Sequence, residues 1–202
     1  MAPDAVEAPD ANAAVAAARG FGGAVAIKLD VAGLAHKSDL GGVALGLRGD
    51  AAVLEAATRL LELGTRHDLA FRGLLVEPMA PPGIELILGL LRDPQFGPVV
   101  LVGFGGTLTE VLDDVAIRLA PLDLDTGHAM LADLRGARLL DGVRGAPPID
   151  RTAVASMLVA LGRLGVDRPD ILEVDLNPVL ATADGAIAVD ALVVMGEAVD
   201  VY

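Results

Sequence analysis

Residues 171–192 read ILEVDLNPVLATADGAIAVDAL. In an extended strand, Glu173, Asp175 and Asn177 share one face, while Leu172, Val174 and Leu176 share the other and suit a core. Asp184-Gly185 signals a hairpin turn, and the returning arm, Ala186 to Ala191, carries Asp190. A two- or four-residue loop places Asp190 on the face of Asp175 and Asn177; a three-residue loop reverses it. With the even loop, carboxylates and an amide oxygen converge on one spot of a rigid hairpin. Hard oxygen donors suit Mg²⁺, which takes one or two carboxylates and leaves its other positions to water and phosphate. The competing reading is a solvated strand face that simply alternates polar and apolar residues.

Upstream of the hairpin, strands and helices alternate. Residues 1–12 are rich in Ala, Pro and Asp and are expected to be disordered, with a short helix from Ala13 to Arg19. Strands are predicted over Ala24–Asp30, Val43–Leu47, Leu74–Met79, Ile84–Leu91 and Val99–Gly103. A helix capped by Asp50 runs to about Arg66, with Val53, Leu54, Ala57, Leu60 and Leu61 on its apolar stripe. Two more helices are predicted over about residues 125–135 and 150–164, and the segment from Gly106 to Pro121 receives no assignment. The class is α/β or α+β with several hairpins, in approximate lobes 13–80 and 81–202.

Composition narrows the function. Hydrophobic residues make up 53% of the 202 positions but aromatics only 2%, so the core is aliphatic. A formal charge of -13 leaves no basic patch to displace counterions from nucleic acid. Zero cysteines remove disulfide and thiolate chemistry. The acidic N-terminus has no apolar signal segment. The apolar run Phe96–Leu108 is broken by Pro98 and four glycines, too short to span a bilayer. A soluble, cytoplasmic protein is the expectation.

Single residues then stand out. Lys28 lies in an apolar strand, where a lysine either snorkels to a surface or meets an anion, since burying it alone is costly. Glu77 and Glu85 also sit in apolar strands, which carboxylates avoid unless paired or ligating. His36-Lys37-Ser38-Asp39, followed by Gly41-Gly42, is either an ordinary polar loop or a ligand loop with approachable amides. Gly103-Phe104-Gly105-Gly106 resembles a phosphate loop only weakly, matching neither the Walker nor the dinucleotide spacing. Arg118 is a fixed cation of the kind a transferring phosphoryl group needs, or else a structural salt bridge. Taken together, Lys28, Lys37, Arg118, the glycine amides and the oxygen-rich hairpin form a phosphate-handling set on an otherwise acidic chain.

Four stretches, VAIKLDVAGLAHKSDLGGVALGL, GIELILGLLRDPQFGPVVLVGFGGTLTEVLDDVAIRLAPL, LLDGVRGAPP and LEVDLNPVLATADGAIAVDA, resemble the ATP-grasp portion of NDP-forming acyl-CoA synthetases. That group includes ADP-forming acetate–CoA ligase and is related to the succinyl-CoA synthetase β subunit. The resemblance implies an ATP-grasp fold with nucleotide between two α/β lobes, the first of them shortened by the lack of a strand and helix ahead of Ala13. It implies that Lys28 contacts ATP phosphates, that Glu77 borders the adenine pocket and that Glu85 faces the nucleotide cleft. Lys37, Gly105 and Gly106 join the nucleotide-binding set. Asn177 and Asp190 hold Mg²⁺ with Asp175 beside them, and His36 falls where members carry a histidine implicated in phosphoryl relay. The implied activity is an ADP-forming acid–CoA ligase, in which phosphohistidine passes its phosphoryl group to ADP. The CoA-binding and CoA-ligase domains are absent from the 202 residues, which implies a partner chain. The alternatives are a non-catalytic or truncated nucleotide-binding module and a succinyl-type β subunit.

Overall fold

The computed structural model describes residues 3–31, 40–67, 70–106, 114–143 and 145–196. The loop bearing His36 and Lys37 lies outside the described residues, as does Arg144. The chain divides into two compact units at Ala80/Pro81.

The first unit is an antiparallel sheet of four strands backed by two helices. Strands β1 (Val6–Ala8), β2 (Val25–Val31), β3 (Val43–Leu47) and β4 (Phe71–Pro78) lie in the order β1-β4-β2-β3. Helix α1 (Ala11–Phe21) starts where the Asp10 carboxylate accepts the Ala13 N–H at 2.8 Å, and stops at Gly22 in the left-handed region; only glycine enters that region without steric cost. Helix α2 (Asp50–Arg66) buries Val53, Ala56, Ala57 and Leu60 against Val25, Ile27, Leu29, Leu74 and Val76 of the sheet. Gly64 lets the helix approach, since a Cβ there would meet the Phe71 ring at 2.7 Å.

Two expectations for this unit need correction. Residues 1–12 are not disordered as a block: β1 pairs with β4 and α1 begins at Ala11, so a strand does precede the helix. Asp50 is not the cap of α2. Gly49 occupies that position, and Asp50 turns to Arg19, 2.6 Å away, on α1.

The second unit is a six-stranded antiparallel sheet. Strands β5 (Ile84–Asp93), β6 (Gly97–Phe104), β7 (Val115–Leu119), β8 (Ile171–Thr182) and β10 (Ala191–Met195) lie in the order β10-β8-β5-β6-β7, and β9 (Gly185–Ala188) pairs with β8. Strand β7 falls in the stretch left unassigned from sequence. Helices α3 (Leu124–Asp133) and α4 (Arg151–Asp167), joined through a 3-10 turn at Ala137–Asp141, cover one face. Leu86, Leu88 and Leu90 of β5 and Val100, Val102 and Phe104 of β6 meet Met130, Leu131, Val154 and Leu158 there. Among the described residues no helix of this unit covers the opposite face, and none is long and apolar enough to cross a membrane.

Candidate functional site

In the first unit, Ile27 and Leu29 join the core under the helices, so alternation turns Lys28 to the other face of the sheet. Lys28 stands opposite Leu75 and Ala26 stands opposite Glu77. Lys28 and Glu77 are therefore diagonal neighbours on one face, within reach of long side chains. Lys28 Nζ lies 2.8 Å from Glu77 Oε2, with the two side chains 7% and 6% exposed. The pairing answers the cost of burying either charge alone. Fixed in this way, Lys28 is a positioned ammonium rather than a snorkelling one.

In the second unit the hairpin closes through a two-residue loop, Ala183-Asp184, with Thr182 opposite Gly185. Register then runs without a slip through Val179 opposite Ala188 to Ala191 opposite Leu176 and Leu192 opposite Asp175. Asn177 N–H donates to the Asp190 carbonyl at 3.2 Å, which puts these two residues across from each other. Val174 and Val179 face the helices. The register shift between β5 and β8, at Leu86/Leu88, admits the extra residue between those two positions. Asp175, Asn177 and Asp190 consequently look away from the helices, on the face the even loop predicts. Among the described residues no three acidic or histidine side chains form a metal cage. Asp175, Asn177 and Asp190 together offer two carboxylates and one amide oxygen, and that set fits Mg²⁺, which binds few protein ligands and keeps several waters. Asp190 Oδ1 also accepts the Ala191 N–H at 3.0 Å, which orients the carboxyl group.

Glu85, at the start of β5, faces the same side as Asp175. It lies at a cavity of about 610 Å³ lined by Ile84, Gly105, Gly106, Leu139, Gly142, Val143 and Thr182, among others. Gly105 N–H donates to the Glu85 carbonyl at 2.8 Å. Gly106 has φ +60, and a Cβ on it would run into the Glu85 carboxylate. Gly106 is favoured by its positive φ and Gly105 packs closely on the Glu85 backbone, reasons the weak sequence motif could not supply. The wall residues Leu139, Gly142 and Val143 fall in the LLDGVRGAPP stretch of the resemblance, but being apolar or glycine they were assigned no role from sequence.

Arg118 is not brought to this cavity. Ala116, two residues earlier on β7, belongs to the core under the helices, and Arg118 on that same face pairs with Asp133 of α3. Of its two sequence readings, the salt bridge is the arrangement seen.

The ATP-grasp domain family matches residues 2–195. A trans-feruloyl-CoA synthase from an unknown prokaryotic organism is 42% identical over 96% of this chain and 28% of its own length. The β subunit of ADP-forming acetate–CoA ligase I from Pyrococcus furiosus is 36% identical over 85% of this chain and 75% of its own. The chain therefore spans about a quarter of the first relative and three quarters of the second. Acetyl-coenzyme A synthetase 1 from Ca. Korarchaeum cryptofilum, in complex with coenzyme A and Ca-AMPCP, superposes with a TM-score of 0.92 at 39% identity, covering 96% of this chain and 86% of that one. Another structure of that enzyme holds coenzyme A and Mg-AMPPCP, with its phosphohistidine segment pointing towards the nucleotide binding site (TM-score 0.82, 38% identity, 96% and 85% covered). Because the family match runs through both units, the chain as a whole belongs to the ATP-grasp domain family, among relatives of the ADP-forming acyl-CoA synthetases.

Proposed function

We propose that this chain is the nucleotide-handling part of an ADP-forming acyl-CoA synthetase, completed by a CoA-binding and CoA-ligase subunit or domain. In the overall cycle, phosphate displaces CoA from an acyl-CoA to give an acyl phosphate. A histidine takes the phosphoryl group and releases the acid, and ADP then accepts it to become ATP. This chain's share is the last transfer, in either direction. The observation that carries the reading is the oxygen face of the hairpin, Asp190 across from Asn177 with Asp175 beside them, in a chain so similar to an ADP-forming ligase β subunit.

Asn177 and Asp190 hold Mg²⁺, with Asp175 adjacent. The ion, when bound, neutralises charge on the phosphate oxygens. Lys28, aimed by its 2.8 Å contact with Glu77, contacts the phosphates. Glu85 and the Gly105-Gly106 backbone border the nucleotide. His36 is assigned to the phosphoryl relay and Lys37 to the phosphate, both by resemblance. Calorimetry with ADP, with and without Mg²⁺, tests the proposal. Mg²⁺-dependent binding is the expected result, and Asp190→Asn removes the Mg²⁺ dependence while leaving the melting temperature of the free protein in place. No heat at millimolar Mg·ADP, or an Asp190→Asn protein that unfolds without ligand, defeats it.

A further inference from the structure

Among the described residues Asp114 is one of three charged residues that the fold buries, at 6% exposure. Its Oδ1 accepts the Arg135 N–H and its Oδ2 the Gly136 N–H, each at 2.8 Å. Burying a carboxylate is costly unless it is well bonded, and two charge-assisted bonds from successive amides supply that. The chain at 135–136 has just left α3 and enters the 3-10 turn Ala137–Asp141. That turn continues into the Leu139, Gly142 and Val143 wall of the Glu85 cavity.

On its other side Asp114 adjoins the rim of β6. It immediately precedes Val115, which is opposite Gly103, and a Cβ on Gly103 would lie 2.9 Å from the Asp114 carbonyl oxygen. Phe104, next in sequence, is 2% exposed. Its ring lies over Gly136, where an added Cβ would meet it at 2.6 Å. Gly105 and Gly106 follow directly. Two contacts, the carboxylate on the 135–136 amides and the Phe104 ring on Gly136, therefore pin the glycine side of the cavity to its apolar wall.

We infer that Asp114 is a positioning residue for the Glu85 cavity, holding the Phe104–Gly106 rim and the 135–143 wall in register. What the cavity binds rests on the nucleotide reading above; the positioning does not. Asp114→Asn keeps the shape but replaces one acceptor oxygen with an NH₂ group facing an amide N–H, which leaves a buried donor unpaired. Hydrogen exchange on the full chain is the primary measurement. Amides of residues 103–106 and 135–143 should exchange about tenfold faster in the variant, while α1, α2 and the β2–β4 ladder remain as in the wild type. Unchanged exchange in those two segments, or equal acceleration throughout the chain, overturns the inference. If Asp114→Asn does not fold, Gly136→Ala, which pushes directly on Phe104, must loosen the same two segments, and failure to do so overturns it equally. Calorimetry with Mg·ADP is the second measurement. Asp114→Asn is expected to weaken binding about tenfold without altering its Mg²⁺ dependence; unchanged affinity beside loosened segments overturns the placement of nucleotide at this cavity, not the positioning. A wild-type chain that binds no Mg·ADP refutes the nucleotide reading instead, and exchange still decides the role of Asp114.

Discussion

Lys28 and Glu77 test whether a buried pair serves binding or only stability. Lys28→Met leaves a carboxylate buried without its cation, at a cost of about 3–5 kcal/mol. Lys28→Met with Glu77→Leu replaces both charges by apolar groups, a change that is often neutral or stabilising. The double variant should therefore recover most of the melting temperature lost in the single one. Its response to Mg·ADP is the decisive part: a phosphate-binding Lys28 means the ligand-induced shift disappears in a folded protein. A full shift in the double variant would make the pair structural. The sequence showed Lys28 as a charge in an apolar strand that had to find an anion or reach a surface. It did not show the anion, because Glu77 becomes a neighbour only through the pairing of β2 with β4. Asp114 was less visible still, since its partners are backbone amides that no side-chain motif reveals.

Three of the four described α-helices are capped by aspartates, Asp10, Asp123 and Asp150, and one of these caps carries a readable pH dependence. Hydrogen bonds from Thr126, side chain and backbone, hold the Asp123 carboxyl below its ordinary value at the start of α3. A depressed folded-state value means that the cap's contribution is present above the unfolded carboxylate value and is lost as pH falls through the folded one. Asp123→Asn keeps a capping oxygen without the titrating group. Urea unfolding from about pH 5 to about pH 3 should then show a shallower loss of stability in the variant. Only part of the slope will go, because Asp50 beside Arg19 and Asp170 beside Arg168 are lowered in the same sense; an identical slope would remove Asp123 from the account. At this scale the hairpin was the most legible element, since alternation and turn residues specified its register. β1 was hidden by its three residues between two prolines. β7 was hidden because Val115, Ile117 and Leu119 are apolar yet half exposed, at 50%, 55% and 55%, so neither face reads as solvent.

Over the whole molecule the dominant quantity is charge, 28 acidic against 15 basic side chains. A chain this acidic repels a polyanion and attracts a divalent cation at long range. Local groups, Lys28 among them, must overcome that field before a phosphate can bind. Salt separates the local from the global contribution, because the Debye length contracts from about 30 Å at 0.01 M to about 8 Å at 0.15 M. Raising ionic strength across that range should strengthen binding of metal-free ADP, whose approach is hindered by the net charge. It should weaken Mg²⁺ binding at the Asn177–Asp190 face, where the same charge helps. Titrations of ADP alone, and of Mg²⁺ into the ADP-bound chain, at both salt concentrations read the two effects separately. Opposite signs are the expected outcome. If both affinities fall with salt, metal-free ADP is being drawn in by local cations such as Lys28, and the chain-wide field has no hold on nucleotide binding. The acidic surface would then concern only solubility and the choice of partner.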